Sequence, residues 1–265
     1  MTIEAKPIVA PGTQTLPRQD PLGEPGRALD LIVLHGTMTA PCPYLSDRLE
    51  RRVVIDLARA GAAGGYDALA RAGFRRSHAL AYRPACPSCS ACVPIRVPVG
   101  RFRANRSQSR VARRNRDLAG TWCEAIATKD QYRLFRRYVE ARHGDGEMVH
   151  MRLGDYRSMV EDTPVRTGLI EHRLADGTLA AVMLVDRLSD GLSAVYSYFD
   201  PDLGERSLGT YMVLDLIQRT GSLGLDHAYL GYWISESQKM AYKARFRPFE
   251  VLRGEGWQPA EPASA

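Results

Sequence analysis

Apolar and polar positions alternate irregularly in the first part of this chain and with a clear rhythm in the second. Residues 31–34 (LIVL) and 51–57 (RRVVIDL) are short branched runs that predict two strands. Residues 66–72 predict a short helix closed by Gly73. Residues 92–99 alternate well enough for a strand, which Pro94 and Pro98 put at a sheet edge, because proline cannot donate to a ladder. Residues 107–118 read as a helix, and so do residues 129–142, with Thr128 as N-cap and Tyr132, Phe135 and Val139 or Tyr138 as the apolar stripe. Cys123 follows Trp122 in a predicted strand, where it is most simply a core residue.

From residue 165 the pattern sharpens. Strands over 165–174, 179–188 and 192–199 are separated by Asp176-Gly177 and Asp190-Gly191, the turn chemistry of antiparallel hairpins. After Asp200-Pro201 a loop from Gly204 to Gly209 opens a helix over 210–220. A strand over 227–232, a helix over 237–244 and a strand over 248–252 complete the series. The expected class is mixed α/β (α+β). Meander, glycine loop, helix, strand, helix, strand is the element order of a GNAT-like acyltransferase core in the C-terminal half, with a smaller half packed on it. Glycine usually stands two residues beyond the loop's last glycine in such cores, and here that position is Tyr211, which argues against coenzyme A as donor.

Charge changes the picture of the first half. Residues 75–116 hold 11 arginines and no Asp or Glu, whereas the rest of the chain carries 25 cations and 30 anions. A stretch so cationic suits a polyphosphate partner, which rewards many arginines at once. Arginine outnumbers lysine 32 to 4, a bias that lowers the weight of any single Arg but does not explain the missing acids. No apolar run approaches the ~20 residues needed to span a bilayer. The proline-rich residues 1–28 lack the apolar core of a secretory signal and read as a disordered leader. The remaining boundaries read as 29–118 for a Cys/Arg-rich domain, 119–255 for a catalytic domain and 256–265 for a tail.

Several ordered motifs then carry a family resemblance. Cys42-Pro-Tyr-Leu45, Gly73-Phe-Arg-Arg-Ser77, Tyr82-Arg-Pro84, Cys86-x-x-Cys89-x-x-Cys92-x-Pro94-x-Arg96, Phe102 and Arg106-Ser-Gln108 with Arg114 and Asn115 lie in the first half. Tyr196-Ser-Tyr-Phe-Asp-Pro201, Arg206-Ser-Leu-Gly-Thr-Tyr211, Tyr229-Leu-Gly-Tyr-Trp-Ile234, Lys239-Met-x-Tyr-Lys243 and Phe246 lie in the second. Together, over roughly residues 30 to 253, they resemble the arginyl/leucyl-tRNA–protein transferases. Length and the CxxCxxC form are most similar to the bacterial members that conjugate leucine to proteins beginning with Asp or Glu. The resemblance implies aminoacyl-tRNA and such proteins as substrates, a GNAT-type catalytic half, cytoplasmic location, no membrane, and entry of the product into N-degron degradation. Arginine in place of leucine, and a coenzyme A-dependent N-acetyltransferase, are the alternatives. A non-catalytic RNA-binding zinc module would explain the first half and leave residues 165–252 without a role.

Aminolysis of a tRNA ester by an α-amine, whose ordinary pKa is about 7.7–8.0, needs the substrates held together, a proton accepted and an oxyanion stabilised. Asp200 is the candidate to bind and deprotonate the amine; the alternative is a turn aspartate. Tyr232 and Lys239 join it as catalytic candidates, and Lys239 and Lys243 share a predicted helix face for the tRNA end or the developing charge, against a solvated face. An acceptor carboxylate calls for a guanidinium fork, so Arg76 and Arg83, then Arg75, are candidates. Arg106, Arg110, Arg113 and Arg114 are read as tRNA backbone contacts. Tyr196, Tyr198 and Trp233 suit an adenine or aminoacyl pocket, or the core. No cofactor is required by this chemistry. Cys42, Cys86, Cys89 and Cys92 are a candidate Zn²⁺ or iron–sulfur ligand set, or four reduced thiols.

Overall fold

The computed structural model describes residues 33–58, 62–142, 146–254 and 256–260. The leader expected over 1–28 lies outside the described residues. Residues 33–34 of the first expected strand are irregular and exposed, and the strand there is a two-residue one, β1 (His35–Gly36).

Two-residue strands β2 (Ala40–Pro41) and β3 (Leu49–Glu50) pair with each other. β4 (Arg52–Asp56) follows, then α1 (Ala62–Arg71), β5 (Arg75–Ser77) and β6 (Leu80–Pro84). They form a four-stranded sheet in the order β1-β4-β6-β5. Gly73 links α1 to β5 at φ +87°, and a Cβ there would meet Pro94 and Leu252 side-chain atoms at 2.8 Å. Only glycine fits that corner.

The larger sheet has eight strands. Its members are β7 (Val93–Pro98), β8 (Ala119–Glu124), β9 (Thr167–Arg173), β10 (Leu179–Arg187), β11 (Gly191–Phe199), β12 (His227–Trp233), β13 (Phe249–Arg253) and β14 (Gly256–Ala260). Their order is β14-β13-β7-β12-β11-β10-β9-β8. The Asp-Gly turns form the expected antiparallel pairs β9–β10 and β10–β11. β7 is interior rather than at an edge. It pairs with β12 from Val93 to Pro98, but β13 meets it only at Ile95 and Arg96, so both prolines lie outside the doubly paired stretch. Gly256–Ala260, expected as the start of a tail, pairs with β13 as β14.

Helices α2 (Arg106–Arg114), α3 (Lys129–Arg142), α4 (Leu153–Glu161), α5 (Leu208–Ser222) and the short α6 (Gln238–Ala241) cover this sheet. Alternate residues of β10 serve opposite faces, as strand geometry requires. Met183 and Val185 join Met212, Leu216 and Ile217 of α5, whereas Val182 and Leu184 join Phe135, Val139 and Tyr156 of α3 and α4. Thr128 caps α3 as expected: the Gln131 N–H donates to its hydroxyl at 3.2 Å, and its own N–H donates to the Gln131 amide oxygen at 2.9 Å. A third cluster, including Ile55, Leu57, Tyr66 and Ala81, meets Leu188 and Tyr229 and ties the small sheet to the large one.

Candidate active site and nucleic-acid interface

A cavity of about 570 Å³ opens between the small sheet, the cysteine loop and the end of β12. Arg48, Arg52 and Arg83 line it with Tyr44, Tyr82, Tyr232 and Trp233. Arg52 is held by Glu50 at 2.8 Å and lies 5.3 Å over the Tyr82 ring. Arg48 is held by Glu236 at 3.1 Å. Arg83 donates to the Ala72 carbonyl at 3.1 Å, is exposed, and pairs with no carboxylate among the described residues. Unlike Arg48 and Arg52, it leaves its guanidinium free of a carboxylate and open to a ligand.

All four candidate cysteines line the same cavity. Burial, and then the neighbouring Cys42, Cys86 and Cys89 sulfurs, push the Cys92 thiol up to about 11. Cys89 is drawn below its ordinary value by the Ala91 backbone N–H and then by Arg48, which donates to its sulfur at 3.2 Å. Cys86 sits 3.7 Å from the Arg51 carbonyl. Among the described residues, no three Cys, His, Asp or Glu side chains are grouped to hold a metal ion. Four thiols have the donor chemistry for Zn²⁺ or an iron–sulfur cluster, but this arrangement does not gather them into one ligand set.

Behind Tyr232 the large sheet splits. β11 and β12 are parallel and pair only at Gly191–Ser193 with His227–Tyr229. Past that point Arg75 of β5 enters the gap, its Nη2 donating to the Ala194 and Val195 carbonyls at 2.6 and 3.1 Å. Gly231, at φ +81°, makes room, since a Cβ there would sit 2.5 Å from Arg75 Nη1. Arg75 Nη1 is buried without a partner. Lys243 reaches the same fork, its Nζ donating to the Tyr232 carbonyl at 2.8 Å. Burial, and then Arg75, push this ammonium down from its ordinary value to about 7. Neither cation pairs with a carboxylate among the described residues.

The other candidates divide into groups. Arg76 does not face a ligand: its guanidinium is fully buried against Asp186, with Nη2 at 2.8 Å, and this pair fastens β5 to β10. The Asp200 carboxylate, at the end of β11, accepts two hydrogen bonds from Arg137, at 2.9 and 3.1 Å, and one from the Asp202 N–H at 3.0 Å. The Tyr232 hydroxyl lies 2.8 Å from the Gly73 carbonyl and 3.1 Å from that of Tyr82, anchoring the small sheet. Tyr198 is core, its hydroxyl 2.5 Å from that of Tyr156. The Tyr196 hydroxyl and Trp233 Nε1 are buried without partners. The single helix expected over 237–244 breaks into α6 and a 3₁₀ turn, Tyr242–Arg245, so Lys239 is exposed while Lys243 points inward.

Arginines dominate a separate surface. α2 starts with a capping box in which the Asn105 side chain and the Gln108 N–H, and Gln108 and the Asn105 N–H, bond at 2.9 Å. Buried Gln108 and Asn115 fix one side of the helix, leaving Arg106, Arg110, Arg113 and Arg114 exposed. Arg110, Arg113, Arg114, Arg116 and Arg206 line a groove of about 560 Å³ with Asp117, which Arg206 holds at 2.9 Å. A net excess of four cations in one groove has the charge that a polyphosphate partner rewards.

The family described as "Arginine-tRNA-protein transferase, N terminus" matches residues 40–110, and "Arginine-tRNA-protein transferase, C terminus" matches residues 130–253. The chain is thus a transferase and belongs to the arginine-tRNA–protein transferase family. Among its relatives, the protein named aspartate/glutamate leucyltransferase of Gluconacetobacter diazotrophicus is 52% identical over 229 residues, 86% of this chain and 88% of that one. The protein of the same name from Paramagnetospirillum magneticum is 52% identical over 226 residues, 85% of this chain and 93% of that one. A solved structure titled "The structure of L-PGS from Bacillus licheniformis" is similar over 66% of this chain and 61% of that one, with a TM-score of 0.44 at 10% identity.

Proposed function

We propose that this chain transfers leucine from leucyl-tRNA to the α-amine of proteins whose first residue is Asp or Glu. The observation that carries this reading is the 52% identity, across both halves, to relatives named aspartate/glutamate leucyltransferase. The product acquires an N-terminal leucine, the kind of end that the N-degron route consumes. Charged tRNA and newly exposed protein ends meet in the cytoplasm, and among the described residues no helix is long and apolar enough to cross a membrane.

The geometry supplies parts for this task. The arginine face of α2 and its groove hold tRNA phosphates, with exposed Lys239 as a further contact. Arg83 takes the acceptor's carboxylate at the cavity wall through paired N–H donors. The aminoacyl end enters the cavity beside Trp233. Asp200, already engaged by Arg137, acts by fixing the end of β11 rather than by taking a proton. Ester aminolysis assigns no step to a metal or redox group, so Cys42, Cys86, Cys89 and Cys92 enter the reaction as cavity wall. Coenzyme A is disfavoured because Tyr211 stands where a GNAT pyrophosphate loop needs glycine, its ring 5.3 Å from His172.

Labelled leucine or arginine, each offered on its tRNA to peptides beginning with Asp, Glu, Lys or Ala, tests the reading. Leucine on the Asp and Glu peptides alone is the expected result. Arginine transfer would reverse the cargo, and transfer from neither tRNA would overturn the reaction.

A further inference from the structure

A strand fork holding two cations and, among the described residues, no acid is an unusual thing to bury. Desolvation penalises each charge, and packing an arginine beside a lysine adds repulsion. Carbonyls from Ala194, Val195 and Tyr232 satisfy part of their donors, yet Arg75 Nη1 stays unpartnered. Arg75 of β5 is the charged group that acts on Lys243, whose Nζ meets the Tyr232 backbone carbonyl and whose chain neighbour is Tyr242. Burial holds the adjacent Tyr242 phenol above its ordinary range, so it adds no charge beside Lys243. Such a fork disfavours a bound ammonium and favours a neutral amine and an oxyanion, which are the nucleophile and the intermediate of ester aminolysis.

We propose that Lys243 is the proton acceptor of the transfer and that Arg75 holds the oxyanion formed in the same step. This deepens the transfer reading and rests on it. The acceptor nitrogen attacks the ester carbonyl carbon, a C–N bond forms, and the carbonyl oxygen becomes an oxyanion facing Arg75 Nη1. The proton leaving that nitrogen goes to neutral Lys243 Nζ. Collapse of the intermediate breaks the C–O bond to the terminal ribose, and the same proton returns to the departing ribose oxygen. Lysine ends as it began, so no co-reactant is needed. A lysine held near 7 by burial and by Arg75 is free base for much of the time at neutral pH and is matched to an α-amine near 8.

The sign of the pH dependence follows. Protonated Lys243 is inactive, so kcat falls as pH drops below about 7 and levels off above it. That limb belongs to the enzyme, and it stays in position for acceptor peptides whose α-amines titrate at different pH. K243M and K243R are each expected to lose at least ~100-fold in kcat while keeping tRNA binding and melting temperature. R75Q removes the neighbouring cation, so the acid limb of its residual activity moves to higher pH. K243R distinguishes proton transfer from a charge contact, because an arginine keeps the charge but cannot give up its proton. Should K243M fail to fold, K243R decides alone. Transfer by K243R within threefold of wild type, or an unmoved acid limb in R75Q, would overturn the proposal. Absence of transfer by the wild-type enzyme from either tRNA would instead sink the reading beneath it.

Discussion

Removing the Arg76 guanidinium is a sharp test of whether this arginine is a strut or a reader of substrate. Arg76 and Asp186 are both fully buried, joined by Nε at 2.9 and 3.0 Å and by Nη2 at 2.8 Å. In R76M the Asp186 carboxylate keeps only the hydroxyls of Tyr66 at 3.1 Å and Thr167 at 2.7 Å. Breaking one side of a buried pair costs about 3–5 kcal/mol. Two remaining donors argue for the lower end, ~3 kcal/mol. For a chain of this size 1 kcal/mol moves Tm by about 2–4 °C, so a fall of ~6–12 °C is expected in a thermal melt. R76M/D186N, which removes the orphaned charge and leaves an amide oxygen for one of the two hydroxyls, should recover part of that loss. Below the lowered transition, KM for an Asp-initiated peptide should match wild type. An unchanged Tm with a tenfold higher KM would refute the structural assignment and return Arg76 to the acceptor site.

R110E/R113E should weaken tRNA binding and lower the slope of log K against log salt by roughly 1.5–2, read by filter binding across a salt series; an unchanged slope would remove α2 from the interface. R83M should raise KM for Asp peptides about 10- to 100-fold with Tm and tRNA affinity intact, as expected for a lost pair of charged hydrogen bonds, and an unchanged KM would exclude Arg83 as the reader. Burial alone would raise the Asp215 carboxyl, but His172 and then Arg219 outweigh it and hold it below its ordinary range. Its stabilising contribution is therefore complete above about pH 4 and is lost as pH falls through the depressed folded value. D215N should show a smaller drop in urea midpoint between pH 6 and pH 3 than wild type, and an identical drop would refute the linkage.

Local chemistry made much of the fold readable. Asp176-Gly177 and Asp190-Gly191 announced the hairpins, Thr128 announced the start of α3, and Gly73 marked the corner that only glycine fits. What local chemistry cannot carry is partnership over distance. Pro94 and Pro98 exclude a central strand only if both neighbours run their full length, and β13 does not. Arg76 meets its acid 110 residues away, and Asp200 meets Arg137 63 residues away, so neither engagement leaves a trace in nearby residues. Lys239 and Lys243 share a helical spacing, yet the helix ends between them and sends one to water and one inward. Tyr44, Tyr82 and Arg52 line the cavity but stand outside the expected site residues. Tyr44 and Tyr82 carry a signal as members of the motifs around Cys42 and Arg83, whereas Arg52 lies inside a predicted strand, where an arginine gives none. Arg206 likewise belongs to a motif, yet nothing near it in the sequence announces its place in the basic groove.

One competition decides whether leucine is the residue transferred to acidic N-termini. An Asp-initiated peptide is incubated with the enzyme and equal amounts of leucyl-tRNA and arginyl-tRNA, and the product is sequenced by mass spectrometry. A single leucine on the α-amine and no arginine is the expected result. Arginine at that position, or a peptide returned unmodified, would contradict it.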